Sequence, residues 1–76
     1  MSTSDLINQV IAEKLECDID DINPIIGIRN EYIMQETMYA HIEVEDFPDD
    51  EDAYELNWMR ENLDVEWCQS AVDYAE

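Results

Sequence analysis

The chain has 76 residues, with 21 Asp and Glu against 3 Lys and Arg, a formal net charge of −18. That length makes one domain with a thin core. The charge excludes direct contact with nucleic acid, which needs Lys and Arg at the phosphates, and with anionic membrane surfaces. It favours a basic protein partner.

The opening MSTSDLINQV lacks a positive n-region, and polar residues interrupt its apolar ones, so no signal peptide is expected. No apolar run reaches membrane-spanning length. The expectation is a cytoplasmic chain, with Cys17 and Cys68 reduced and buried rather than bridged. Ser4 can cap a first helix over Ser4 to Glu16, with Asp5 in its first turn. Leu6, Ile7, Val10 and Ile11 share its inner face, which Cys17 rejoins. CDIDDINP then reads as a loop or a single turn, and Pro24 stops any helix there. Ile25, Ile26 and Ile28, around the single glycine Gly27, read as an apolar connector lying on the core.

The segment 31–46 supports two readings. As a strand, Tyr32, Met34, Met38, Ala40, Ile42 and Val44 alternate onto one face, which would make the fold α+β. As a helix, Ile33, Met34, Thr37, Met38, Ala40, His41 and Val44 form a broad stripe that Phe47 extends. The helix is preferred, because the strand would be overlong and a hairpin within it has no turn residues. Pro48 ends this element, and Asp49 or Asp50 can cap a helix over Asp50 to Asn62 with Ala53, Leu56, Met59 and Leu63 inward. Asp64 can cap a last helix with Val65, Cys68, Val72 and Ala75 inward. The expected fold is all-α, a small four-helix bundle in a single domain.

Glu43 to Glu55 reads EVEDFPDDEDAYE, and eight of its thirteen residues are acidic: Glu43, Glu45, Asp46, Asp49, Asp50, Glu51, Asp52 and Glu55. No Lys or Arg lies between Arg29 and Arg60. Such a tract is either a solvated acidic loop or a binding surface. Tyr54 and Trp58, i and i+4 on the third helix, point away from its inner stripe. Trp67 and Tyr74 share a face of the fourth. These rings either wrap around the core or form an interface, with a homodimer or with a target.

No segment has the spacing of a calcium loop, and two Cys with one His, dispersed, lack zinc-site spacing. His41 has no motif around it. Neither metal, cofactor nor enzymatic activity is expected.

The order of features resembles the acyl carrier proteins. STSDLINQVIAEKLECDIDDINP is similar to that family's first helix and acidic turn, EYIMQETMYAHIEVEDF to its second helix, PDDEDAYEL to the segment after it, and VEWCQSAVDYA to its closing helix. The resemblance implies a four-helix fold. It also places Tyr32 where the family carries its phosphopantetheine serine, so it implies a degenerate carrier that meets partners through its acidic second helix. Charge density and size resemble, in type, the phage-encoded nucleic-acid mimics that disable host defence, anti-restriction and anti-CRISPR proteins among them. The leading expectation is therefore an inhibitor that occupies the Lys/Arg groove of a nucleic-acid-binding protein. The eight acids would carry the charge, with Tyr54 and Trp58 as anchors. A metal-buffering acidic domain is the third reading.

Overall fold

The computed structural model describes residues 2–75. Four α-helices and two short 3₁₀ turns account for the regular structure of these residues, with no strand among them. The expected all-α four-helix bundle is the observed architecture, and its core is organised around α1 (Thr3–Lys14), which packs on all three other helices.

Ser2, not Ser4, caps α1: its side chain accepts the Asp5 amide at 3.3 Å. The apolar face is the expected one, with Leu6, Ile7, Val10 and Ile11 all buried. The helix ends at Lys14 because Glu16 adopts a left-handed conformation, φ 55°. The Glu16 and Cys17 amides then turn back to the carbonyls of Glu13 (3.3 Å) and Ala12 (3.0 Å), which satisfies two orphan acceptors of the last turn. This turn carries Cys17 out to solvent, away from the inner face where it was expected, while Cys68 is buried and both thiols are free.

After a single 3₁₀ turn, Ile19–Asp21, the chain does not remain extended at Pro24. Pro24 has helical dihedrals, and the Ile25 amide bonds to the Asn23 side chain at 3.1 Å. Proline is well suited to a helix start, since its missing N–H would have no partner there anyway. α2 therefore runs Ile25–Tyr39, and the expected connector is its first turn. Ile26 reaches the core, whereas Ile28 is exposed. Gly27 lies against the first turn of α1. A Cβ placed on it would overlap the Ser4 carbonyl and come within 2.9 Å of Asn8 Nδ2. The close crossing of α1 and α2 thus requires the glycine.

The segment 31–46 is neither a strand nor one helix. α2 stops at Tyr39, and Ala40 and His41 lie in an exposed turn. A second 3₁₀ turn, Val44–Asp46, follows, with the Asp46 amide on the Glu43 carbonyl at 2.9 Å. Beyond Tyr39 the segment offers little for the core to bury: Val44 is 81% exposed and Phe47 47%. Mutual repulsion of the acids adds to the cost of a compact helix.

α3 (Glu51–Asn62) begins where expected, with Asp50 accepting the Ala53 amide at 3.1 Å. α4 (Val65–Ala75) begins at the Asp64 carboxylate, which accepts the Trp67 amide at 2.7 Å. Met59, Leu63 and Cys68 are core residues. Ala53 and Val65, expected inward, are exposed. At the other end of α3, Arg60 grips Glu13 of α1 through Nη2 (2.7 Å) and Nε (3.0 Å), and Lys14 donates to the Arg60 carbonyl at 2.8 Å. The Arg60 hydrogen bonds hold the Glu13 carboxyl below the usual range.

Candidate functional site

Seven of the eight acids are exposed, all within ten consecutive residues: Glu43, Glu45, Asp46, Asp49, Asp50, Glu51 and Asp52. Most do not lie along a helix, as expected, but on the irregular stretch between α2 and α3. Only Glu51 and Asp52 lie in an α-helix, while Glu45 and Asp46 lie in the 3₁₀ turn. Three local features fix this stretch. The 3₁₀ turn orders Glu43 to Asp46, Phe47 packs on Tyr39 with ring centroids 5.6 Å apart, and Asp50 caps α3. The acids at the start of α3 also suit its positive N-terminal end.

Glu55 does not belong to this surface. It is 4% exposed, and both carboxylate oxygens are taken. Thr3 Oγ1 donates to Oε1 at 2.6 Å, and Tyr39 OH donates to Oε2 at 2.9 Å. Gln35 Nε2 completes the network by donating to Thr3 Oγ1 at 2.9 Å. Burial first, then the hydrogen bond to Glu55, pushes the Tyr39 phenol well above its ordinary value. Glu55 ties α3 to α1 and α2. Its place four residues before the buried Met59 is the sequence signal for this inward position.

Tyr54 and Trp58 are not free anchors either. Tyr54 is half-buried, with its ring 5.4 Å from that of Tyr39, and its hydroxyl donates to the Met38 carbonyl at 2.8 Å. Trp58 is half-buried against the core. The rings on α3 wrap around the core, because the buried stripe of this helix is wider than the aliphatic residues alone suggest. The apolar side chains left exposed beside the acids are Val44 and Phe47.

On α4, Trp67 and Tyr74 share a face as expected and line an open groove with Ile26, Arg29 and Ile33 of α2. The α2 side of this groove was not legible in the sequence, since the helix was expected to begin after Ile28. Tyr32, which the carrier resemblance aligns with an attachment serine at a helix start, lies two turns inside α2. Among the described residues no group of His, Cys, Asp or Glu is placed to hold a metal ion, and no helix is long and apolar enough to cross a membrane.

These features define a small acidic four-helix bundle whose exposed carboxylates concentrate between two helices. No protein-family model matches the chain, and no curated protein or solved structure matches it.

Proposed function

We propose that the protein is a non-catalytic inhibitor that binds a basic, nucleic-acid-binding protein by presenting carboxylates where that protein expects phosphates. The observation that carries this reading is the run of seven exposed acids from Glu43 to Asp52, ordered by a 3₁₀ turn and a helix cap and without an intervening base. Two of the chain's three basic side chains, Lys14 and Arg60, are engaged with each other's helices elsewhere. A partner whose Lys/Arg groove binds polyanions would find a dense, shaped array of negative charge, and complementary potentials would accelerate encounter. The setting is an inhibitor of host-defence or nucleic-acid enzymes, of the kind phages encode.

The test is competition. Basic proteins captured from a lysate on the immobilised chain are loaded with labelled DNA or RNA, and the chain is then added back. Displacement of the nucleic acid is the expected result. Replacing Asp49, Asp50, Glu51 and Asp52 together by their amides should abolish displacement and flatten its salt dependence, while Asn at 50 retains the helix cap. Simultaneous binding of chain and nucleic acid, with the target still active, would overturn the reading.

A further inference from the structure

The groove between α2 and α4 is separate from the acid tract. It encloses about 860 Å³, within the range of binding clefts. Ile26 forms its floor, Trp67 and Ala71 are half-buried in it, and Ile33 (57% exposed) and Tyr74 (83%) stand at its lips. Exposed aromatic and β-branched side chains at the mouth of a concavity leave apolar surface in water without a partner in this chain. Ile26 and Ile33, like Trp67 and Tyr74, lie seven positions apart, about 10 Å along a helix, which matches two turns of an incoming helix.

Charge identifies the occupant. Exposed Glu36 lies three residues beyond Ile33 on α2, and exposed Glu66 and Asp73 lie four before and three after Ser70 on α4, Asp73 also accepting from Gln69 at 3.0 Å; this helical spacing sets carboxylates beside the lining residues on both helices, outside the lining itself. Arg29 is the one base in the lining, and it makes no ion pair among the described residues. A second copy of this chain would bring another −18 charge to the same place. A cationic segment meets the banks with the opposite sign. We propose that the groove seats a basic amphipathic helix of a partner protein, its apolar side chains against Ile33, Trp67 and Tyr74 and its Lys or Arg beside Glu36, Glu66 and Asp73. This rests on the reading of a basic partner and adds to it a second contact, one that selects by shape and apolarity rather than by charge alone.

The probe is a synthetic helical peptide of Leu and Lys with Leu at i, i+3, i+4 and i+7, compared with a scrambled peptide of identical composition. Amide chemical shifts and calorimetry read its binding to the full chain. The amphipathic peptide should bind at least tenfold more tightly than its scramble. Its shifts should centre on Ile33, Ala71 and Tyr74, and Ile33→Asp or Tyr74→Ser, both at exposed positions, should each lower affinity at least tenfold. Equal binding of the two peptides, or shifts confined to Glu43–Asp52, would overturn the assignment. So would a dimer, detected by sedimentation, that Ile33→Asp dissolves, since a second copy would then be the occupant. The two proposals fail separately. Localised peptide binding by a chain that displaces no nucleic acid leaves the groove assigned and removes the mimicry, whereas displacement that Ile33→Asp leaves untouched, without localised peptide binding, removes the groove alone.

Discussion

Thr3 and Glu55, 52 positions apart in the chain, are joined by a buried 2.6 Å hydrogen bond that fixes the start of α1 to the middle of α3. Because Tyr39 occupies the other carboxylate oxygen, Glu55 is the hub of three helices. Glu55→Ala removes the acceptor of two hydroxyls that remain in poorly solvated surroundings, at a cost of about 3 kcal/mol. Glu55→Gln keeps the shape and one acceptor, so it should cost less than half as much. Urea unfolding of the two variants measures both. A loss below ~0.5 kcal/mol for Glu55→Ala would mean that the network does not hold the helices together. Binding to a basic partner should be unchanged in Glu55→Gln, unlike the variants of the exposed acids.

Gly27→Ala tests the crossing of α1 and α2. In an isolated helix alanine is favoured over glycine by about 1 kcal/mol. Here the added methyl meets backbone, the Ser4 carbonyl, which cannot rotate away. Separating the two helices to admit it should destabilise the fold by about 1–3 kcal/mol. A Gly27→Ala variant with a raised melting temperature would show that the crossing is loose.

Stability should fall in alkali. The Tyr39 phenol holds its proton more strongly in the fold than in the unfolded chain, as does the buried Cys68 thiol, whose pKa burial raises. The folded state therefore binds more protons once pH approaches the unfolded values, and stability declines as pH rises. The contribution is complete below a pH of about 9 and is lost through the alkaline range above it. Melting temperatures between neutrality and pH ~11 should fall more steeply for the native chain than for Tyr39→Phe. The variant starts lower, because Glu55 loses one donor, and parallel curves would contradict the coupling.

Salt should stabilise the protein. With a net charge of −18, repulsion is relieved by screening, so melting should rise between ~0.02 and ~0.5 M salt. Acid acts on the Glu13–Arg60 pair: the lowered Glu13 pKa gives stability that is present above the unfolded carboxylate value and lost as pH falls through the folded one. That pair is exposed and contributes little. A melting temperature unchanged across that salt range would mean that the charges lie too far apart to repel one another.

The features that were legible in the sequence follow from periodicity and capping. Leu6, Ile7, Val10 and Ile11 gave the inner face of α1, and Asp50 and Asp64 marked the starts of α3 and α4. The start of α2 was missed because proline both ends one helix and opens another, and Gly27 looked like a break when it serves a close approach. The premature end of α1 rests on a left-handed Glu16, a position where glycine is the usual signal. Within the acid tract, Glu55 was indistinguishable in composition from its neighbours. Its spacing from Met59 puts it on the inner side of α3, but the hydroxyls that satisfy the buried carboxylate come from Thr3 and Tyr39, far away in the chain, and the composition of the tract does not show them.

The outward turn after α1 has a practical corollary. It leaves Cys17 as the thiol that reagents can reach, while Cys68 is enclosed and holds its proton more tightly than an ordinary thiol. One equivalent of maleimide should therefore mark the native chain at a single position, without mutagenesis. Left in air without reductant, the same sulfur should couple two chains into a covalent pair, which dithiothreitol separates and Cys17→Ser prevents, and which owes nothing to the groove between α2 and α4.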